Sequence, residues 1–199
     1  MCSSDLIALA LRADAADVIL GAAANEKTVK TTNLANRRVV MFATHGLVPG
    51  DLNGLTQPAL AMTAPAVAKV DGDGLLTMEE VLALKLNADW VVLSACNTAA
   101  GNGAGSEALS GLGRAFFYAG ARALLVSHWP VETVSARLIT TGLFRRQSEQ
   151  PALTRAQALR LTMLDLLDRG AMPPRPGAAS FTYGHPLFWA PFALVGDAG

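Results

Sequence analysis

Five short apolar runs limit what this chain can fold into: "DVIL" (17–20), "RRVVMFATHG" (37–46), "WVVLSA" (90–95), "ARALLVSHW" (121–129) and "WAPFALVGD" (189–197). Their centres are continuous rather than alternating, rich in Val, Ile and Leu, and too short to be helices. A strand that is apolar on both faces must be covered on both faces, as happens in parallel sheets flanked by helices. The stretches between the runs carry helix signals, so strands and helices alternate and the fold class is α/β with a mostly parallel central sheet.

The helix signals are specific. A remnant helix is expected around Ile7–Ala13, and Asn25 caps a second that runs to about Leu34. Thr77 and Glu80 form a capping box ahead of "MEEVLALKLN" (78–87), Ser106 caps "EALSGLGRAFFYAG" (107–120), and Thr133 and Thr154 cap two more helices. Residues 47–73, punctuated by Pro and Gly, read as an elaborated loop or hairpin with one extended piece, "ALAMTA" (59–64). A Pro-rich loop follows at 172–176, and there is no internal repeat or low-complexity tract.

Charge and cysteine content exclude several function classes. Sixteen basic residues balance sixteen acidic ones, so no global field draws the chain to nucleic acid or an anionic membrane. The greasy stretch 6–24 is broken by Arg12, Asp14 and Asp17 and cannot span a bilayer cheaply. Only Cys2 and Cys96 occur, too few for a disulfide framework and without a CxxC pair, which fits a reducing, cytoplasmic setting and calls for no metal or other cofactor. The opening "MCSSDL" (1–6) reads as a translated sequencing-adapter end rather than natural protein, leaving 7–199 as one domain. On that reading, sequence upstream of the read is expected to be missing, and the genomic reading frame tests the point.

Two residues stand where chemistry would be expected. His45 and Cys96 each follow an apolar run, and in an open parallel sheet the carboxyl ends of the strands form the rim where ligands bind. A thiol becomes a strong nucleophile when a neighbouring imidazole takes its proton, and the same imidazole can then protonate a leaving amine. The amide of Gly46, unobstructed by a side chain, could stabilise an oxyanion together with the amide of Cys96. Residue types alone leave a buried inert thiol and a turn histidine equally open.

The remaining motifs are weaker. Ser127, Trp129 and Glu132 lie on the same rim and are candidates for substrate binding; Glu132, if turned inward, would favour a basic side chain before the scissile bond. "DGDG" (71–74) lacks the later acidic ligands of a calcium loop and reads as a turn. "GNGAGSEAL" (101–109) matches no phosphate-binding spacing and reads as a flexible substrate-side loop. His128 is expected to line the pocket or pack, and His185, before Pro186, to be structural.

Taken together and in order, "VVMFATHG", "DGLLTMEEVLALKLNADWVVLSACNTA", "ALSGLGRAFFYAGARALLVSHWPV" and "HPLFWAPFALVGD" resemble the CHAT domain, a caspase-like cysteine peptidase module related in fold to caspases, gingipains and separase. The resemblance implies a three-layer caspase-like sandwich in which His45 is the base, Cys96 the nucleophile and Gly46 an oxyanion contributor. It implies a protein or peptide substrate, and a sensor such as tetratricopeptide repeats upstream in the full-length chain. It also implies a further strand beside the His45 strand, ahead of the helix leading into "DVIL"; its absence from this sequence is read as N-terminal truncation. Two other readings stay in view: a noncatalytic caspase-like interaction module, and a different cysteine hydrolase. Against the second, Cys96 lacks the flanking glycines of a G-x-C-x-G elbow.

Overall fold

The computed structural model describes residues 3–93, 104–129, 131–169 and 182–199. In chain order its elements are α1 (Ser3–Leu11), α2 (Glu26–Thr31), β1 (Val39–Phe42), β2 (Gly46–Leu47), β3 (Ala59–Ala61), α3 (Pro65–Ala68), β4 (Leu75–Thr77), α4 (Met78–Leu82), β5 (Trp90–Leu93), α5 (Ala104–Ala119), β6 (Ala123–Ser127), α6 (Thr133–Glu149), α7 (Arg155–Asp168), α8 (Pro186–Trp189) and β7 (Phe192–Gly196). They fall into two compact units, Ile19–Trp129 and a second formed by Met1–Val18 with Pro130–Gly199.

The larger unit is built on parallel strands in the order β1-β5-β6, with Val39 opposite Trp90, Phe42 opposite Leu93, and Val91 opposite Leu124. Every residue of β5 and β6 is buried, which explains why their sequences are continuous apolar runs. In α5 the positions Leu112, Ala115, Phe116 and Ala119 are buried at the spacing of one helical face, while Arg114 and Tyr118 on the other face are exposed. Phe116 packs on Phe42 of β1 with ring centroids 5.5 Å apart. At about 25 cal/mol per Å2, burying such a side chain contributes roughly 2 kcal/mol, so this stripe fixes α5 more firmly than its propensity could.

Gly120 ends α5 and could be nothing else. Its φ is +112°, and a Cβ there would lie 2.2 Å from the Leu86 carbonyl oxygen. That close approach lets the Leu86 amide donate to Ala119 O at 2.7 Å and the Arg122 amide to Ala88 O at 2.9 Å. The same approach shortens α4. The sequence predicts a helix over 78–87, but α4 ends at Leu82, and the chain then runs extended with Leu84, Leu86 and Ala88 buried at alternate positions. Backbone bonds to the end of α5 outweigh the local helix preference.

A second, antiparallel sheet of order β2-β3-β4 occupies the segment that reads as an elaborated loop. Its middle strand, Ala59–Ala61, is the first half of the extended piece expected at 59–64, and the sheet's core is Ala59, Leu60 and Leu76, all fully buried.

The expected strand "DVIL" is not one. Ala15–Asp17 form a single 3-10 turn, Val18–Leu20 enter no ladder, and Ile19 and Leu20 are exposed. Strand propensity measures fit to a pleated, half-buried surface, and among the described residues these have no partner strand to provide it.

The smaller unit is mainly helical. α6 and α7 pack together, with Gly142 against Thr162; Ser135, Ile139, Leu143 and Phe144 of α6 and Ala158, Leu159, Thr162 and Leu166 of α7 are buried. α1 packs on α6, with Ile7 buried. Thr154 caps α7 as expected, and Gln157 makes the cap reciprocal. Thr133 does not cap α6: it is the first helical residue, and the cap is Glu132. Ser106 likewise falls within α5 rather than at its cap. No helix of the described residues is long and apolar enough to cross a membrane.

Candidate active site

β1 ends at Phe42, and the chain bends through Ala43 and Thr44 before it enters β2 at Gly46. His45 therefore stands in the link between the two sheets, three residues past the carboxyl end of β1. It is exposed, and its imidazole makes no hydrogen bond to another described residue. Its backbone is held firmly. The Ala61 amide donates to His45 O at 2.8 Å, and the Thr44 hydroxyl donates to Ala61 O.

The ladder also sets the direction of the next amide. Gly46 pairs with Leu60 and Leu47 with Ala59, and the bond from Ala61 to His45 O marks the rung before them. In an antiparallel pair, bonded and non-bonded positions alternate, so Gly46 occupies a non-bonded one and its N–H points away from β3. β2 is the outer strand of this sheet, so no strand of the sheet lies on that side.

The far side of the small sheet is tied down electrostatically. Thr77 and Glu80 form the expected capping box at α4, with the Thr77 amide donating to Glu80 at 2.9 Å. Lys30 of α2 bonds both Glu80 and Glu26. Burial pulls the Lys30 ammonium pKa down, but the two carboxylates overcome it and hold the value above the ordinary lysine range. Burial likewise pushes Glu80 up, and the Lys30 and Thr77 hydrogen bonds reverse this, leaving its carboxyl below the usual range. Glu26 also accepts the Asp73 amide at 3.4 Å, against the bare backbone of Gly72. Asp73 Oδ1 accepts the Leu75 amide at 2.8 Å. The "DGDG" segment is thus a turn held by the Asp73 carboxylate and by Glu26 of α2.

The other rim residues are less alike. Ser127 is buried at the end of β6, Trp129 is half-buried two residues on, and His128 between them is exposed rather than packed. Glu132 is exposed, and its carboxylate oxygens accept the Val134 and Ser135 amides at 3.0 and 2.8 Å as the cap of α6. His185 caps α8, its Nδ1 accepting the Leu187 amide at 3.1 Å, which gives it the structural role expected. Cys96, the expected nucleophile, and the glycines of 101–103 lie outside the described residues. Sequence reasoning missed Thr44 and Ala61. The only local signal is the polar Thr44 that interrupts an apolar run before His45.

Comparison with known families matches the CHAT domain over residues 4–197, nearly the whole chain. The chain belongs to the CHAT domain family. A CHAT domain is caspase-like, and the parallel β1-β5-β6 core is of the α/β class that such a fold requires. Among curated proteins, the chain is similar to mouse tetratricopeptide repeat protein 28, with 27% identity over 125 residues. That match takes in 62% of this CHAT chain but only 4% of the mouse protein's length.

Proposed function

We propose that this CHAT domain is a cysteine peptidase in which His45 and Cys96 form a catalytic dyad. One observation carries the reading. β1 and β5 are parallel neighbours with Phe42 opposite Leu93, and His45 and Cys96 each lie three residues on from that matched pair. Counted along the sequence, the two residues are thus equally far past a matched pair on adjacent strands. Trp129 follows Val126 by the same interval on the next strand, if the β5–β6 register is continued from Val92 and Leu125. The exposed imidazole of His45, which makes no hydrogen bond to another described residue, and the outward Gly46 amide further support it.

In this mechanism His45 takes the Cys96 proton, and the Sγ attacks the substrate carbonyl carbon. The oxyanion is met by the amides of Gly46 and Cys96. Collapse breaks the C–N bond, and His45 gives its proton to the departing amine. Water, deprotonated by His45, then attacks the thioester, releases the acid and returns the thiol. Ser127 and Trp129 would shape the pocket before the scissile bond. Glu132 already holds the α6 cap with both carboxylate oxygens, and a capping role carries no preference for a basic residue there.

An upstream sensor or repeat region is proposed as the regulator, supported by the tetratricopeptide relative. The test is alkylation of Cys96 by an activity-based thiol probe. Labelling abolished by His45→Ala supports the dyad; equal rates in the two proteins would instead favour a noncatalytic interaction module.

A further inference from the structure

In a regular antiparallel pair, the residue that accepts a bond from its partner's amide returns one from its own amide to the partner's carbonyl. At the rung between His45 and Ala61 only half of this is present: Ala61 N–H donates to His45 O, while the Ala61 carbonyl takes the Thr44 hydroxyl. Both polar groups of one β3 residue therefore grip the two consecutive residues Thr44 and His45. Ala61 itself is well founded. It pairs with Leu75 on its other side, next to the fully buried Leu60 and Leu76.

We infer that Thr44 is a positioning residue, whose hydroxyl fixes the backbone from which the His45 imidazole and the Gly46 amide are aimed. The inference rests on the peptidase reading of His45 and Cys96. Because the imidazole is exposed and makes no hydrogen bond to another described residue, its aim depends on the backbone that carries it. Displacement of a reacting group by about 1 Å can cost on the order of 100-fold in rate. Valine has nearly the shape of threonine but no donor, so it would leave the Ala61 carbonyl unmatched and the bend at Thr44 free to shift. Serine keeps the donor.

The experiment measures the second-order rate of Cys96 alkylation by iodoacetamide against pH, on the full chain, with the Cys96 peptide resolved from that of Cys2 by mass spectrometry. Wild type, Thr44→Val, Thr44→Ala, Thr44→Ser and His45→Ala are compared, with thermal unfolding as the check on folding. The expected result is a loss of at least about tenfold in Thr44→Val and Thr44→Ala, with the pH profile displaced toward that of an isolated thiol, and recovery to within about twofold in Thr44→Ser. If His45→Ala loses reactivity but Thr44→Val and Thr44→Ala keep the wild-type rate and profile, the positioning role is overturned and the dyad stands. If His45→Ala itself matches wild type, both fall. If both non-hydroxyl variants fail to fold while Thr44→Ser folds, the hydroxyl is a folding element and the positioning role is likewise overturned.

Discussion

The amino ends of the parallel strands in the larger unit and the carboxyl end of β1 are treated in opposite ways. At their amino ends, Asp89 ahead of β5 is buried and bonded by Arg38, ahead of β1, and by Arg122, ahead of β6, each at 2.6 Å; Arg122 also reaches Asn87 at 3.3 Å. One carboxylate thus locks three strand entrances together. At the carboxyl end of β1, His45 is exposed with its ring unengaged by described residues, and only its backbone is fixed. The difference teaches where this fold keeps its polar groups satisfied for stability and where it leaves them available. A buried charge without partners costs several kcal/mol, so Asp89 must be matched, whereas an exposed imidazole is solvated and carries no such penalty.

The comparison would break most visibly at His45. Removing a positioned general base costs roughly 100-fold or more, so His45→Ala should abolish probe labelling of Cys96 while leaving the urea midpoint unchanged. Asp89→Ala should do the reverse. Loss of a buried carboxylate bonded by two arginines whose heads reach water should cost about 2 kcal/mol in urea unfolding, with Cys96 reactivity retained once the chain is folded. If Asp89→Ala silenced Cys96 in a folded chain, the separation of the two ends would be lost.

Glu132 shows whether a carboxylate near the end of β6 belongs with the fixed set or the reactive set. As a cap, Glu132→Ala should cost about 1 kcal/mol in unfolding and leave the ratio of cleavage after basic and neutral residues unchanged. A collapse of that ratio would make Glu132 a specificity residue. The smallest effect concerns Lys30 and Glu80. Because Glu80 is lowered when folded, its contribution is present above its unfolded pKa and fades as the pH falls through the folded value. Because Lys30 is raised, its contribution is complete below its unfolded pKa and fades as the pH rises through the folded value. Both are partly exposed, so Glu80→Gln should remove only about 0.5 kcal/mol near neutrality. It should also flatten the acid limb of stability measured against pH.

Local signals in the sequence were legible where they act within one turn of chain. The caps at Thr77 and Thr154 involve residues three apart, and the pattern of β5 and β6 records burial on both faces. Signals that depend on a distant partner were not. The strand-like "DVIL" lacks a partner strand among the described residues, and the helix from Met78 stops at Leu82 because Leu86 finds a better bond at Ala119. Thr133 lost the cap of α6 to Glu132, whose longer side chain reaches two amides. His45 was legible as a histidine after a strand, but the grip of Thr44 and Ala61 on it was not, since they are separated by 17 residues.

What the sequence determined by itself was the class of fold and the place of His45 just past a strand, because a strand buried on both faces can tolerate only apolar side chains and polar ones must collect where it ends. What the tertiary structure decided was how the backbone at that place is held. Pairing with β3 fixes the backbone at His45 and turns the Gly46 amide outward, and such a rung exists only when segments far apart in the chain are brought into register.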